Sequence, residues 1–61
     1  MSSAREQAEI LIASHGPAAE RECRERASYY GFLRDQERAA WWKDVARRIG
    51  EMQSRNKSSA G

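Results

Sequence analysis

The side chains able to do covalent or metal chemistry in this chain are few: one histidine, His15, and one cysteine, Cys23. An imidazole and a thiol are the minimum of a nucleophile–base couple, and Arg24 and Arg26 beside Cys23 would favour its thiolate. No third group in the sequence orients His15 toward Cys23, so the couple lacks what catalysis needs. A metal site needs several strong donors, and a second histidine is absent. There is no glycine-rich phosphate loop either. Both residues have simpler uses. A histidine in the last turn of a helix meets free carbonyls and the favourable end of the helix dipole. Cys23 falls on an apolar stripe and suits a small buried side chain. The expectation is a protein that is not an enzyme, with no catalytic residue, no metal and no cofactor.

The elements that carry these residues read as helices. Ser3-Ala4-Arg5-Glu6 fits a capping box, in which the Ser3 hydroxyl accepts from the Glu6 amide and the Glu6 carboxylate reaches back. Ala8, Leu11, Ile12 and His15 follow on one face, and Gly16-Pro17 ends the segment, which gives a helix over about 4–15. Pro17 suits the first turn of a second helix over about 17–30, with Gly31 as its stop. Its stripe is Ala19, Cys23, Ala27 and Tyr30. The other face sets Glu20–Arg24, Arg21–Glu25 and Glu22–Arg26 at i,i+4, each pair worth about 0.2–0.5 kcal/mol. Phe32 and Leu33 form a short apolar connector, and Asp35 is placed to cap a third helix over about 35–54. There Trp41, Val45, Ile49 and Met52 lie within roughly 80° of one another, and Trp42 and Ala46 widen the arc to about 140°. Gly50 inside that helix costs about 1 kcal/mol against alanine. Tyr29-Tyr30-Gly31-Phe32-Leu33 has strand-like types but no pairing partner.

The fold class expected is therefore all-α: three helices in a small bundle or helical hairpin, oligomeric, with a single domain over 1–54 and a disordered basic tail over 55–61. The core expected is Leu11, Ile12, Cys23, Tyr30, Trp42, Val45, Ile49 and Met52. A core of that size supplies at most about 3–5 kcal/mol, which leaves no room for a large buried active site.

Ala8-x-x-Leu11-Ile12-x-x-His15-Gly16-x-x-Ala19, Arg26-Ala27 and Trp42-x-x-Val45-x-x-x-Ile49-x-x-Met52 together resemble a group of small uncharacterised alphaproteobacterial proteins. Those share an L-I-x-x-H-G turn and a W-x-x-I-x-x-x-I-x-x-L final helix. The similarity covers residues 5–53. This chain departs from the pattern with Trp41-Trp42 in place of one tryptophan and Met52 in place of leucine. The resemblance implies a compact helical domain and carries no activity with it.

Charge narrows the choice of partner. Eleven lysines and arginines face nine acids, a net charge of +2. Residues 1–33 sum to −1 and residues 34–61 to +3, from the positions of those charges. Arg34, Arg38, Arg47, Arg48, Arg55 and Lys57 make a nucleic-acid-binding role the alternative reading. Asp44 and Glu51 interrupt them, however, and no helix-turn-helix signature is present. Ile10 to Ala13 is far short of the ~20 apolar residues that a membrane helix needs. With no leader-like stretch and no intramolecular disulfide possible, a cytoplasmic location is expected and membrane binding is not.

The leading expectation is a helical protein–protein interaction module, a small subunit, adaptor or regulator that docks on a protein partner or on itself as a homodimer. Tyr29 and Trp41 are the candidate contact aromatics, with cover of the core margin an equal alternative for Trp41. Arg38 and Arg48 are candidate partner-facing charges. Arg38 projects toward the middle of the apolar arc, so its head must reach water or a carboxylate.

Overall fold

A computed structural model describes residues 3–60, with side chains described through Arg55. The chain enters its first helix as the capping pattern requires. Ser3 Oγ accepts from the Glu6 N–H at 3.1 Å, and the hydroxyl turns to the Glu6 carboxylate at 3.4 Å. The returning half of the box thus meets the hydroxyl of Ser3. Helix α1 runs Ala4–His15, within the expected bounds. Gly16 ends it at φ 56°, ψ −126°, with its N–H bonded to the Ile12 carbonyl. The φ is positive, but ψ carries the backbone away from the left-handed helical basin into a region that suits glycine.

Gly16–Ala18 is a single 3-10 turn containing Pro17, and α2 follows directly as Ala19–Phe32. The second helix thus starts two residues later than position 17. The Ala19 N–H takes the Gly16 carbonyl at i→i−3, the tighter bond, and only then does the α pattern begin. Residues 4–32 are accordingly one helical run bent at Gly16.

Gly31 is not the stop it was expected to be. The helix passes through it and ends in a Schellman arrangement three residues on. The Asp35 N–H bonds to the Tyr30 carbonyl at 2.9 Å, and the Arg34 N–H to the Gly31 carbonyl at 3.0 Å. The residue that takes the left-handed conformation is Arg34, at φ 62°. For a residue with a Cβ that conformation costs about 1–2 kcal/mol.

Asp35 then serves the next helix at once: its Oδ1 accepts from the Arg38 N–H at 3.2 Å, its carbonyl from the Ala39 N–H at 3.0 Å. One residue closes α2 and caps α3, which makes the hairpin link short. Helix α3 is Gln36–Ala60. Its backbone carries on where the reading ended it near 54 and began a tail at 55. The stretch from Ser54 to Ala60 holds neither proline nor glycine, so nothing in its backbone chemistry breaks the hydrogen-bond ladder. Position 61 lies outside the described residues. At 25 residues α3 is about 37 Å long and sets the 41 Å long axis.

The molecule is predominantly helical, with no strand among the described residues. α2 packs along α3, and α1 lies across α3 with a lighter contact to α2. Nine hydrophobic residues are buried: Ala8, Leu11, Ala19, Cys23, Ala27, Ala39, Val45, Ala46 and Ile49. Five of those nine are alanines. Small residues therefore form the α2–α3 seam, with Ala19, Cys23 and Ala27 on one side and Ala39 and Ala46 on the other. Gly50 continues the α3 side, where an added Cβ would stand 3.4 Å from the Glu20 carboxylate. Ile12, Trp41, Trp42 and Met52 are partly buried against this cluster.

Candidate interaction surface

The expected core divides in two. Leu11, Cys23, Val45 and Ile49 are buried, whereas Ile12, Tyr30, Trp42 and Met52 are half-buried. Ala39 was missed altogether, because a size-weighted reading of the apolar residues passes over alanine. The signal was present as the Ala39-x6-Ala46-x3-Gly50 spacing, which aligns small residues on one helical face.

The two tryptophans stand otherwise than their spacing suggested. Residues adjacent on a helix project about 100° apart, which by itself would keep the two rings separate. Their rings meet edge to face at 4.9 Å with an interplanar angle of 86°, and both pack on the core cluster. The flexible Cα–Cβ–Cγ stems bring together what the helical wheel separates. The Arg26 guanidinium lies over the Trp42 ring, 4.9 Å from its centroid, and covers the outer face of the indole. Trp41 is thus a half-buried residue at the margin of the core.

Tyr29 is placed differently. It stands 59% exposed, in edge contact with Tyr30 at 5.4 Å, and is followed by Phe32 at 85% and Leu33 at 52% exposure. Three large apolar side chains within five residues therefore face solvent at the α2–α3 end. Covering a Phe or Leu side chain completely contributes about 1.5–3 kcal/mol, so an occupant of this surface would gain appreciably. Ile10, exposed on α1, is an isolated case of a common kind.

Three arginines of α3 are engaged by acids of their own chain. Arg38 does not enter the core. Its guanidinium lies 3.5 Å from the Asp35 carboxylate and 5.7 Å from the centroid of the Tyr30 ring, with the side chain 68% exposed. Arg48 bonds to Asp44 at 3.1 Å, and Arg47 bonds to Asp44 at 2.7 Å and to Glu51 at 3.4 Å. The Arg47 hydrogen bond, then that of Arg48, holds the Asp44 carboxyl below the ordinary carboxylate range. Of the three i,i+4 pairs expected on α2, Glu20–Arg24 and Glu22–Arg26 form and Arg21–Glu25 does not. A groove between α2 and α3 is lined by Glu20, Arg24, Lys43, Arg47 and Glu51. Its charges alternate in sign, so it offers no uniform field to an ion.

His15 and Cys23 are not brought into a couple. His15 is exposed at the end of α1, whereas Cys23 is sealed against α3, and burial pushes its thiol above the ordinary value of 9.0. Among the described residues no group of His, Cys, Asp or Glu is placed to hold a metal ion, and no helix is long and apolar enough to cross a membrane. Comparison with family models, curated proteins and solved structures finds no match to this chain.

Proposed function

We propose that this protein is a non-enzymatic helical interaction module, a small subunit, adaptor or regulator that works by docking against protein. The observation that carries the reading is the exposed cluster Tyr29, Phe32 and Leu33, set on a helix end that a short, doubly bonded turn holds rigid. Helix-borne aromatic and aliphatic side chains held in place lose little freedom on binding, so more of their burial appears as affinity. The size of the core supports the same reading. Chains below about 70–80 residues usually need a disulfide, a metal or association to reach useful stability. This one has a single cysteine, and association is the route its exposed apolar end serves.

The arginine pairings favour a protein partner over nucleic acid. Arg38, Arg47 and Arg48, which a phosphate-binding face would present freely, are held by Asp35, Asp44 and Glu51. Pairing them with phosphate would first require breaking those contacts.

The test is a Phe32→Ser variant compared with the wild-type protein. Complexes, whether with itself by sedimentation or with a partner recovered from the native cell, are expected to weaken at least tenfold in the variant, about 1.4 kcal/mol. Its circular dichroism is expected to be unchanged. A wild-type chain that sediments as a monomer at high concentration and binds no protein overturns the reading.

A further inference from the structure

We propose that the outer strip of α2, running from Glu25 through Tyr29 and Phe32 to Leu33 with Arg34 just past its end, is the seam of a two-fold dimer of this chain. The inference rests on the interaction reading above and deepens it by naming the occupant and the register.

At 100° per residue, Glu22, Glu25, Arg26, Phe32 and Leu33 all lie within about 60° of Tyr29, on the side of α2 away from Ala27. The strip is apolar toward its C-terminal end and charged toward its N-terminal end, and its two acids differ in how they are engaged. Glu22 lies 3.9 Å from Arg26, whose guanidinium is also committed to Trp42. Glu25 forms no ion pair with any described residue, since Arg21 does not close on it. At the other end, Arg34 is exposed and likewise forms no ion pair with a described residue. One unmatched negative charge and one unmatched positive charge thus flank a single apolar patch.

That arrangement is self-complementary. A two-fold axis passing near Tyr29 and perpendicular to α2 sets two α2 helices antiparallel, so whatever lies N-terminal of Tyr29 on one copy faces whatever lies C-terminal of it on the other. Glu25 and Leu33 are each about 6 Å along the helix from Tyr29, in opposite directions. Glu25 of one copy then stands beside Leu33 and Arg34 of its mate, and the pairing occurs twice. Tyr29 and Phe32 of both copies fill the centre. A partner of one charge sign would answer only one end of the strip; a second copy answers both.

The position of Arg34 strengthens the case. It occupies a left-handed turn site at φ 62° that glycine fills without strain. Its side chain forms no ion pair with a described residue of its own chain that would offset the cost. A bridge to Glu25 of a second copy supplies a reason for arginine there.

Sedimentation equilibrium of the full chain over a concentration series tests the proposal, with helicity checked by circular dichroism for each variant. The wild type is expected to dimerise. Arg34→Glu and Glu25→Arg are each expected to weaken the dimer about tenfold or more, because each reversal sets two like-charge contacts across the axis. The double variant Glu25→Arg with Arg34→Glu is expected to recover to within about threefold of wild type. Arg34→Gly suits the backbone of the turn and guards against misfolding; it is expected to keep the fold and still weaken the dimer. A double variant no better than the single ones overturns the proposal, as does a wild type that stays monomeric. If that monomer still binds another protein through Phe32, the dimer is wrong and the interaction reading stands; if it binds nothing, both fail.

Discussion

At one end of the molecule the helices are tied together by contacts far apart in sequence, and at the other by contacts that are all local. Where α1 gives way to the 3-10 turn, the Gln53 side-chain amide of α3 donates to the Gly16 carbonyl at 2.8 Å. That carbonyl already takes the Ala19 N–H, so both its lone pairs are used. Leu11, Cys23 and Ile49 belong to the one buried cluster. At the α2–α3 turn, Asp35 bonds backward to Tyr30 and forward to Arg38, and the ring of Tyr30 meets the guanidinium of Arg38. Among the described residues nothing covers Tyr29, Phe32 and Leu33, which stay largely exposed. Leu11, Cys23, Val45 and Ile49 go to one sealed cluster, whereas Tyr29, Phe32 and Leu33 stand exposed by the α2–α3 turn.

The comparison breaks most readily from the sealed end. Ile49 is fully buried, and Ile49→Ala is expected to cost about 2–5 kcal/mol through lost burial and the cavity left behind. That is comparable to the whole net stability of such a chain, about 3–5 kcal/mol. Urea titration followed by circular dichroism should show a much lower midpoint, with most of the folding free energy lost. A loss below about 1 kcal/mol would mean that Ile49 is not at the centre of the core.

A smaller effect is expected at the link between α3 and the bend. Gln53→Ala removes one hydrogen bond but leaves the Gly16 carbonyl its bond from Ala19. The same titration should show a loss of about 0.5–1.5 kcal/mol. Hydrogen exchange is expected to rise first in α1, whose docking that bond secures. The smallest effect belongs to the open end. In dilute solution, Phe32→Ser should change unfolding free energy by less than about 0.5 kcal/mol, because the side chain is 85% exposed. A large loss there would show that Phe32 supports the monomer, and the contrast between the two ends would collapse.

Much of this fold was legible in the residues themselves. Ser3, Gly16 and Asp35 announced their caps because capping depends on chemistry within three or four residues. The stripe Ala19–Cys23–Ala27 announced the inner face of α2 for the same reason. Gly31 misled because a glycine permits a left-handed turn without requiring one; Arg34 takes it, where the Schellman bonds to Tyr30 and Gly31 fall. The candidate surface was half legible. Tyr29 was singled out because it points away from the stripe, whereas Phe32 and Leu33 read as connector residues. Their exposure depends on α2 running through Gly31, and no local pattern signals that.

Local hydrogen bonding and side-chain periodicity, both short-range and carried in the order of residues, settled that the chain is helical and where its first helix begins and ends. What only the packed molecule decided is which apolar residues are covered. The use of alanines in place of larger side chains at the α2–α3 seam and the open end at Phe32 both follow from how closely two helices approach. That distance is set by every residue along the seam at once, so no window of sequence contains it.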